Sequence, residues 1–342
     1  MHSSWSELQK GDGALQMPGD SLFESDHFTL MPLTNGVYAC IHKPGGAAYS
    51  NAGIIDLGDL TLLVDALHTL AAGRALRQIA EALFQRPVAA IVLTHAHSDH
   101  WIGASAFDVG TGLLASKTTR QVCIEWGAKI MEDFQNPAEW QEWLKETEER
   151  LQTEQDQRVR LGLENSITFI SHVMTEMAEY RARYPDQTFE DTIRFRGSKR
   201  NAELRSFGRG HSEDDAVLLI PQDGVAFIGD IGFFDTQPFF GFCDIDLYRK
   251  QLLYFQDAGF QVLVPGHGPV GCKDNIALQL KYFDVMEDLV GKVVHRGGSF
   301  EEAMQITLPE PFDRWLMGGM ERFEMNVRYL FARAGGEVPG EG

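Results

Sequence analysis

Three imidazoles and a carboxylate fall within six positions of the chain, in the stretch Thr94 to His100 that reads Thr-His-Ala-His-Ser-Asp-His. It follows the apolar run Val88 to Leu93, which reads as a buried strand. A loop leaving such a strand puts alternate side chains on one side, so His95, His97, Asp99 and His100 can converge. Neutral imidazole nitrogen and carboxylate oxygen suit Zn²⁺ and its borderline neighbours, whereas the same groups buried without an ion would form a costly polar knot. A solvated His-rich turn is the alternative, and it explains nothing further along the chain. Three more donors do lie further along: His211 in Gly-Arg-Gly-His-Ser, Asp230 in Phe-Ile-Gly-Asp, and His267 in Pro-Gly-His-Gly. Each comes after or at the end of a β-like run: Ala202 to Phe207, Val225 to Ile228, and Gln261 to Val264. Taken singly, a lone His is more often structural and a Gly-Asp is often a turn. In this order they complete a site.

The pattern His-x-His-x-Asp-His, then a lone His, an Asp and a last His resembles the metallo-β-lactamase-fold superfamily, from about Leu30 to Gly271. The resemblance implies that His95, His97 and His211 hold one divalent metal, that Asp99, His100 and His267 hold a second, and that Asp230 bridges them. Zinc is the first expectation, with iron or manganese as alternatives. The implied chemistry is hydrolysis of an ester-like bond (lactone, thioester or carboxylic ester) by a metal-bridging hydroxide, with Asp99 and Asp230 as catalytic residues and Asp99 a candidate proton acceptor. Asp65, closing Leu-Val-Asp-Ala, corresponds to a residue that orients metal ligands in that family; an ordinary turn Asp is the alternative.

Within the family, the Asp at 230 and the all-His pattern look like the glyoxalase II and lactonase branch. β-Lactamases of this fold generally lack the bridging Asp and are exported. Acyl-homoserine lactonases usually carry Tyr where this chain has Phe233, and the glutathione-contacting segments of glyoxalase II are not recognisable. Two other classes remain: an iron-dependent oxygenase or redox enzyme of the same fold, and a non-catalytic scaffold, which would have no reason to keep seven ligands.

The elements that must position these donors alternate as in an α/β protein. Phe28 to Leu33 and Gly36 to Ile41 form a hairpin about Thr34-Asn35-Gly36, and Ala52 to Leu57 pairs with Leu60 to Asp65 about Gly58-Asp59. A helix over 70–84 precedes the motif strand, a short helix is expected over 101–107, and a strand over 113–115. Phe189 to Phe195 and Glu203 to Phe207 read as a hairpin, Ala216 to Ile220 pairs with Val225 to Ile228, and a helix over 245–257 leads to the last strand. The resemblance implies a four-layer αββα sandwich over 28–275, here with a helical insertion at 118–185, a leader at 1–27 and a helical extension at 276–342. Helices are expected there over 275–295, 299–306 and 312–334, either outside the sandwich or paired with the inserted ones.

Trp140, Trp143, Leu144 and Leu151 mark one face of an inserted helix, and Ile167, Ile170, Met177 and Tyr184 mark another. Helix packing is one role for them; a cap that walls the cleft, admits an apolar substrate or faces a second copy of the chain is the other. The aromatic loop Phe233, Phe234, Phe239, Phe240 and Phe242 offers an apolar wall. Arg205 or Arg209, within a basic hairpin that also protects a sheet edge, is a candidate receiver of a substrate carboxylate.

With 342 residues, 44% hydrophobic, the chain can bury a large core, and its formal charge of −19 opposes nucleic acid and anionic membrane as partners. A small molecule is the expected partner. Met1 to Asp20 has no apolar core, so neither a signal nor a span is expected and the cytoplasm is the expected location. Cys40, Cys123, Cys243 and Cys272 are widely spaced and read as reduced thiols.

Overall fold

A computed structural model describes residues 23–155, 157–315 and 320–339. Most of the expected leader, residues 1–22, lies outside the described residues. Two sheets make the centre of the molecule. The first has seven strands in sequence order: β1 (Phe28–Thr34), β2 (Val37–His42), β3 (Ala52–Asp56), β4 (Thr61–Val64), β5 (Val88–Val92), β6 (Gly112–Ser116) and β7 (Gln187–Phe189). It starts as an antiparallel meander and turns parallel from β4 onward. The parallel step β4 to β5 is crossed by helix α1 (Leu70–Phe84), as a parallel connection requires. The second sheet has the order β12-β11-β10-β9-β8, from β8 (Thr192–Arg196), β9 (Asn201–Ser206), β10 (Ala216–Ile220), β11 (Val225–Phe233) and β12 (Val262–His267). Its one parallel pair is β11 with β12, crossed by α6 (Ile245–Asp257).

Side-chain alternation along these strands builds three apolar layers. In β10, Leu218 and Ile220 face the first sheet while Val217 and Leu219 face outward to helices; in β4, Leu62 and Val64 face the second sheet and Leu63 faces outward. The middle layer joins the sheets, and each outer layer is closed by helices, so the order is helix, sheet, sheet, helix. This is the expected α/β sandwich.

Between β5 and β6 lie a turn of helix, α2 (Ser98–Trp101), and a 3₁₀ segment Ile102–Ala106, in place of the single short helix expected over 101–107. The inserted segment forms α3 (Lys117–Asp133), α4 (Pro137–Thr153) and α5 (Gln157–Glu176). Its attachment is specific: the Glu176 carboxylate accepts from the backbone N–H groups of Leu70 and Ala71, 2.6 and 2.7 Å away, capping α1. The segment read as one strand over 189–195 is split. β7 joins the first sheet beside β6, whereas β8 pairs with β9 in the second, because Glu190 and Asp191 turn the chain from one layer to the other.

C-terminal helices α7 (Lys273–His295), α8 (Phe300–Met304) and α9 (Met320–Arg333) lie on the outer face of the second sheet, where Phe283, Phe300, Val327 and Phe331 pack with Tyr248 and Leu252 of α6. Of the two packings left open by the sequence, this is the one outside the sandwich. Where one helix over 312–334 was expected, Phe312–Arg314 form a 3₁₀ turn and α9 is described over Met320–Arg333. Among the described residues no helix is long and apolar enough to cross a membrane. All four cysteines are free, and burial pushes the Cys40, Cys123 and Cys243 thiols up, away from reactivity.

Candidate metal centre

The donors meet where strands of both sheets end. Leaving β5, Thr94 to His100 folds into a tight loop because Trp101 is fully buried and donates its indole N–H to the Ala96 carbonyl, 2.9 Å away. The backbone N–H of Ala66 donates to the His100 carbonyl, tying the loop to the end of β4. His211 stands on the turn after β9, Asp230 inside β11, and His267 at the end of β12. Because β11 and β12 run parallel, their C-terminal ends carry Asp230 and His267 to the same edge.

Two sets result. His95, His97, His211 and Asp230 form the first, and Asp99, His100 and His267 the second, with the ligand atoms of each set within 4.8 Å of one another. In the first, His97 Nδ1 lies 3.0 Å from His211 Nε2, while Asp230 Oδ2 lies 3.2 Å from His211 Nε2 and 3.7 Å from His95 Nε2. In the second, Asp99 Oδ2 is 3.2 Å from His267 Nε2 and 3.7 Å from His100 Nε2. Asp230 reaches this set as well, its Oδ1 being 3.1 Å from His100 Nε2. All seven sequence-selected residues are thus brought together, with Asp230 between the halves.

These spacings fit metal ions. Ligand atoms about 2.1 Å from a tetrahedral ion stand about 3.4 Å apart, and the observed pairs scatter around that value. The Nε2 atoms of His95 and His100 and the Oδ1 of Asp230 are buried and have no hydrogen-bond partner. Polar atoms left so would each cost roughly 1–3 kcal/mol unless an ion used them.

The charges match a divided centre. Burial and the neighbouring His100 hold His95 well below the usual imidazole range, and burial with His211 lowers His97 to about 3. Burial acts the same way on His100 and His267, but the carboxylates Asp230 and Asp99 outweigh it and push both up. Asp99 and Asp230 are held well below the usual carboxylate range by His100 and His267 in spite of burial.

Behind the ligands stands a set of orienting groups. Asp65 does orient: its Oδ2 meets His100 Nδ1 at 2.8 Å, and its oxygens accept from the Thr94 backbone N–H and hydroxyl at 2.8 Å each. The Thr94 hydroxyl in turn meets His95 Nδ1 at 3.0 Å. Burial raises the Asp65 pKa against the pull of His100. Sequence reading missed the others. Asp215, buried, accepts from the His211 backbone N–H at 2.7 Å and fixes that turn. Tyr248 donates to the Asp230 carbonyl at 2.6 Å and accepts from Gln279. Asn51 donates to the Pro265 and Gly268 carbonyls and so holds the strand end that carries His267. At Gly266 any side chain is excluded, since a Cβ would lie 1.8 Å from Asp230 Oδ1.

Aromatic residues after Asp230 divide between tasks. Phe233 stacks on His267 at 4.9 Å, Phe239 and Phe242 pack near His97 beside Trp126, and Phe240 lies in the outer core. Phe234 lines a cavity of about 1060 Å³ that opens onto Asp99 and His267. Trp140, Trp143, Leu161, Phe169 and Ile170 of the inserted helices wall it, so the inserted segment lines this cavity as well as packing on the body. Among the described residues, the Lys or Arg that lines this cavity is Arg322 of α9. Arg205, a sequence candidate for that task, instead pairs with Glu203 and donates to the Tyr254 hydroxyl, and neither it nor Arg209 lines the cavity.

Comparison with known proteins agrees with this architecture. The sequence model described as the Metallo-beta-lactamase superfamily matches residues 45–113, which contain the His-x-His-x-Asp-His segment. The solved metallo-β-lactamase FIM-1 from Pseudomonas aeruginosa, in its mono-zinc form, superposes with TM-score 0.51 over 76% of this chain and 96% of its own, at 16% identity. The chain has the metallo-β-lactamase fold. A metallo-β-lactamase from Pontibacter korlensis gives TM-score 0.52 over 75% of this chain and 98% of its own, at 17% identity. A double mutant of the sec-alkyl sulfatase PisA1 gives TM-score 0.61 over 92% of this chain but 51% of its own, at 14% identity. No curated protein sequence matches the chain. Within this fold the buried His/Asp groups form a metal site.

Proposed function

We propose that the chain is a dinuclear metal-dependent hydrolase acting on an ester-like bond (a lactone, thioester or carboxylic ester) with zinc as its metal. One observation carries this reading: two donor sets share Asp230 and open, through Asp99 and His267, into a cavity large enough for a small-molecule substrate. When bound, a pair of divalent ions polarises the scissile oxygen and lowers the pKa of a water towards neutrality.

The chain's own residues do the rest. Asp230 presents one oxygen to each donor set, and Tyr248, itself held by Gln279, fixes the backbone at that point. Asp65 and Thr94 hold the imidazoles of His100 and His95 by their Nδ1 atoms, leaving Nε2 free to ligate. Asp99 is the clustered carboxylate that faces the cavity, 21% exposed against 3% for Asp230, and is placed to hold a proton passing to the leaving group. Trp140, Trp143 and Phe169 exclude water and offer an apolar surface for the substrate.

Elemental analysis of protein purified without added metal tests the reading, followed by lactone, thioester and carboxylic-ester assays. About two zinc ions per chain with turnover of one class is the expected outcome. Asp230→Ala should lose at least one ion and most turnover. Iron near one per chain with oxygen consumption would replace hydrolysis by oxygen chemistry, and no bound metal would end the enzyme reading.

A further inference from the structure

Arg322 is an unusual cation. Its guanidinium donates to the Gln237 carbonyl at 3.2 Å and stands 5.5 Å from the centre of the Phe233 ring, the ring that stacks on His267. In a chain with 49 acidic residues, no carboxylate among the described residues forms an ion pair with it. The carboxylates whose charge it senses are Asp230 and Asp99, and both are committed to the metal centre. Two divalent ions bring four positive charges against the three carboxylates Asp65, Asp99 and Asp230. The loaded centre therefore has no negative charge left for Arg322 to balance. A half-buried guanidinium beside a positive centre is costly unless an anion joins it.

The part of the cavity wall supplied by the inserted helices has the opposite character. Trp140, Trp143, Leu161 and Phe169 give it apolar walls, and Asp133 and Glu139 place negative charge beside them. An anionic group is repelled by these carboxylates and attracted to Arg322, while an apolar chain is accepted against the aromatic wall. Charge and hydrophobicity therefore fix one orientation for an amphipathic ligand.

Resting on the hydrolase reading, we propose that the cavity selects amphipathic anions: substrates whose carboxylate or sulfate is received by Arg322 beside the metal centre and whose apolar arm is enclosed by α4 and α5. Arg322 is the specificity-determining residue, and its planar fork suits either oxyanion.

Calorimetric titration of the zinc-loaded protein with octanoate, octyl sulfate and octanol, each below its micelle concentration, tests this without turnover. The expected result is binding of at least one anion about tenfold or more tighter than octanol, the tighter one identifying the head group. Arg322→Gln should erase that preference and leave octanol binding unchanged, while Arg322→Lys should keep part of it. Metal content, measured on each variant, confirms that the centre is intact. Equal binding of all three probes by the unaltered protein, or an undiminished anion preference in Arg322→Gln at full metal content, would overturn the proposal. Absence of metal would end the hydrolase reading; full metal without anion preference would end this inference alone.

Discussion

Replacing Asp65 by Asn keeps shape and volume but changes what the side chain can accept. In the native centre its two oxygens receive the Thr94 N–H, the Thr94 hydroxyl and His100 Nδ1, all at 2.8 Å. An amide has one oxygen and one NH₂, so one of its ends must face a donor. If the NH₂ faces His100, the imidazole can accept at Nδ1 only by moving its proton to Nε2, the atom aimed at Asp99 and Asp230. That tautomer cannot ligate. If the NH₂ faces Thr94, a buried backbone donor loses its partner at about 1–3 kcal/mol. Loss of such an orienting partner typically weakens metal affinity about 10–100-fold, or about 1.4–2.7 kcal/mol. Asp65→Asn should therefore release the ion of the Asp99, His100 and His267 set at lower chelator concentration, while the His95, His97 and His211 set keeps its own. Metal per chain followed through a chelator titration reads this directly. Native stoichiometry and native chelator resistance in Asp65→Asn would refute the reasoning.

Acidification should empty the two sets in order. A protonated imidazole has no lone pair to give, and the carboxylates beside His100 and His267 raise their pKa values while burial lowers those of His95 and His97. As the pH falls past the ordinary imidazole value of about 6.5, metal content should drop from two to one before reaching zero; simultaneous release counts against this ordering. Gly266→Ala should fold yet hold fewer than two ions, because the new Cβ must displace Asp230 Oδ1, and full metal content in that variant would show that the strand can yield. Arg200 is buried, pairs with Asp223 at 3.0 Å and donates to the carbonyls of Asn35, Gly36 and Asp56. Removing it by Arg200→Ala should cost about 3 kcal/mol, visible as a lower Tm with metal content unchanged, and an unaltered Tm would contradict the assigned role.

The ligand set was legible because it is local and ordered. Four of the seven donors lie within Thr94 to His100, and each of the other three is announced by an apolar strand, so spacing singles out the donors and the family resemblance implies how they divide. Asp65, at the end of its strand, was legible only through the family resemblance. The uninterrupted apolar runs of β4 and β10 fit the sandwich that the resemblance implied, since residues of opposite parity are buried in different layers.

What the sequence did not disclose depends on contacts far apart along the chain. Glu190 and Asp191 do not announce that the strand they interrupt will divide between two sheets. Asn51 steadies the His267 strand end across 214 positions, and Tyr248, Gln279 and Asp215 support backbone groups that carry no pattern of their own. The basic hairpin drew attention to Arg205, yet tertiary structure supplied Glu203 as its partner and brought Arg322 to the cavity from a helix near the C-terminus. Short-range spacing determines which donors can share an ion. Which cation reaches the cavity beside them, and which helices wall that cavity, is decided only when distant segments compete for the same partners in the folded chain.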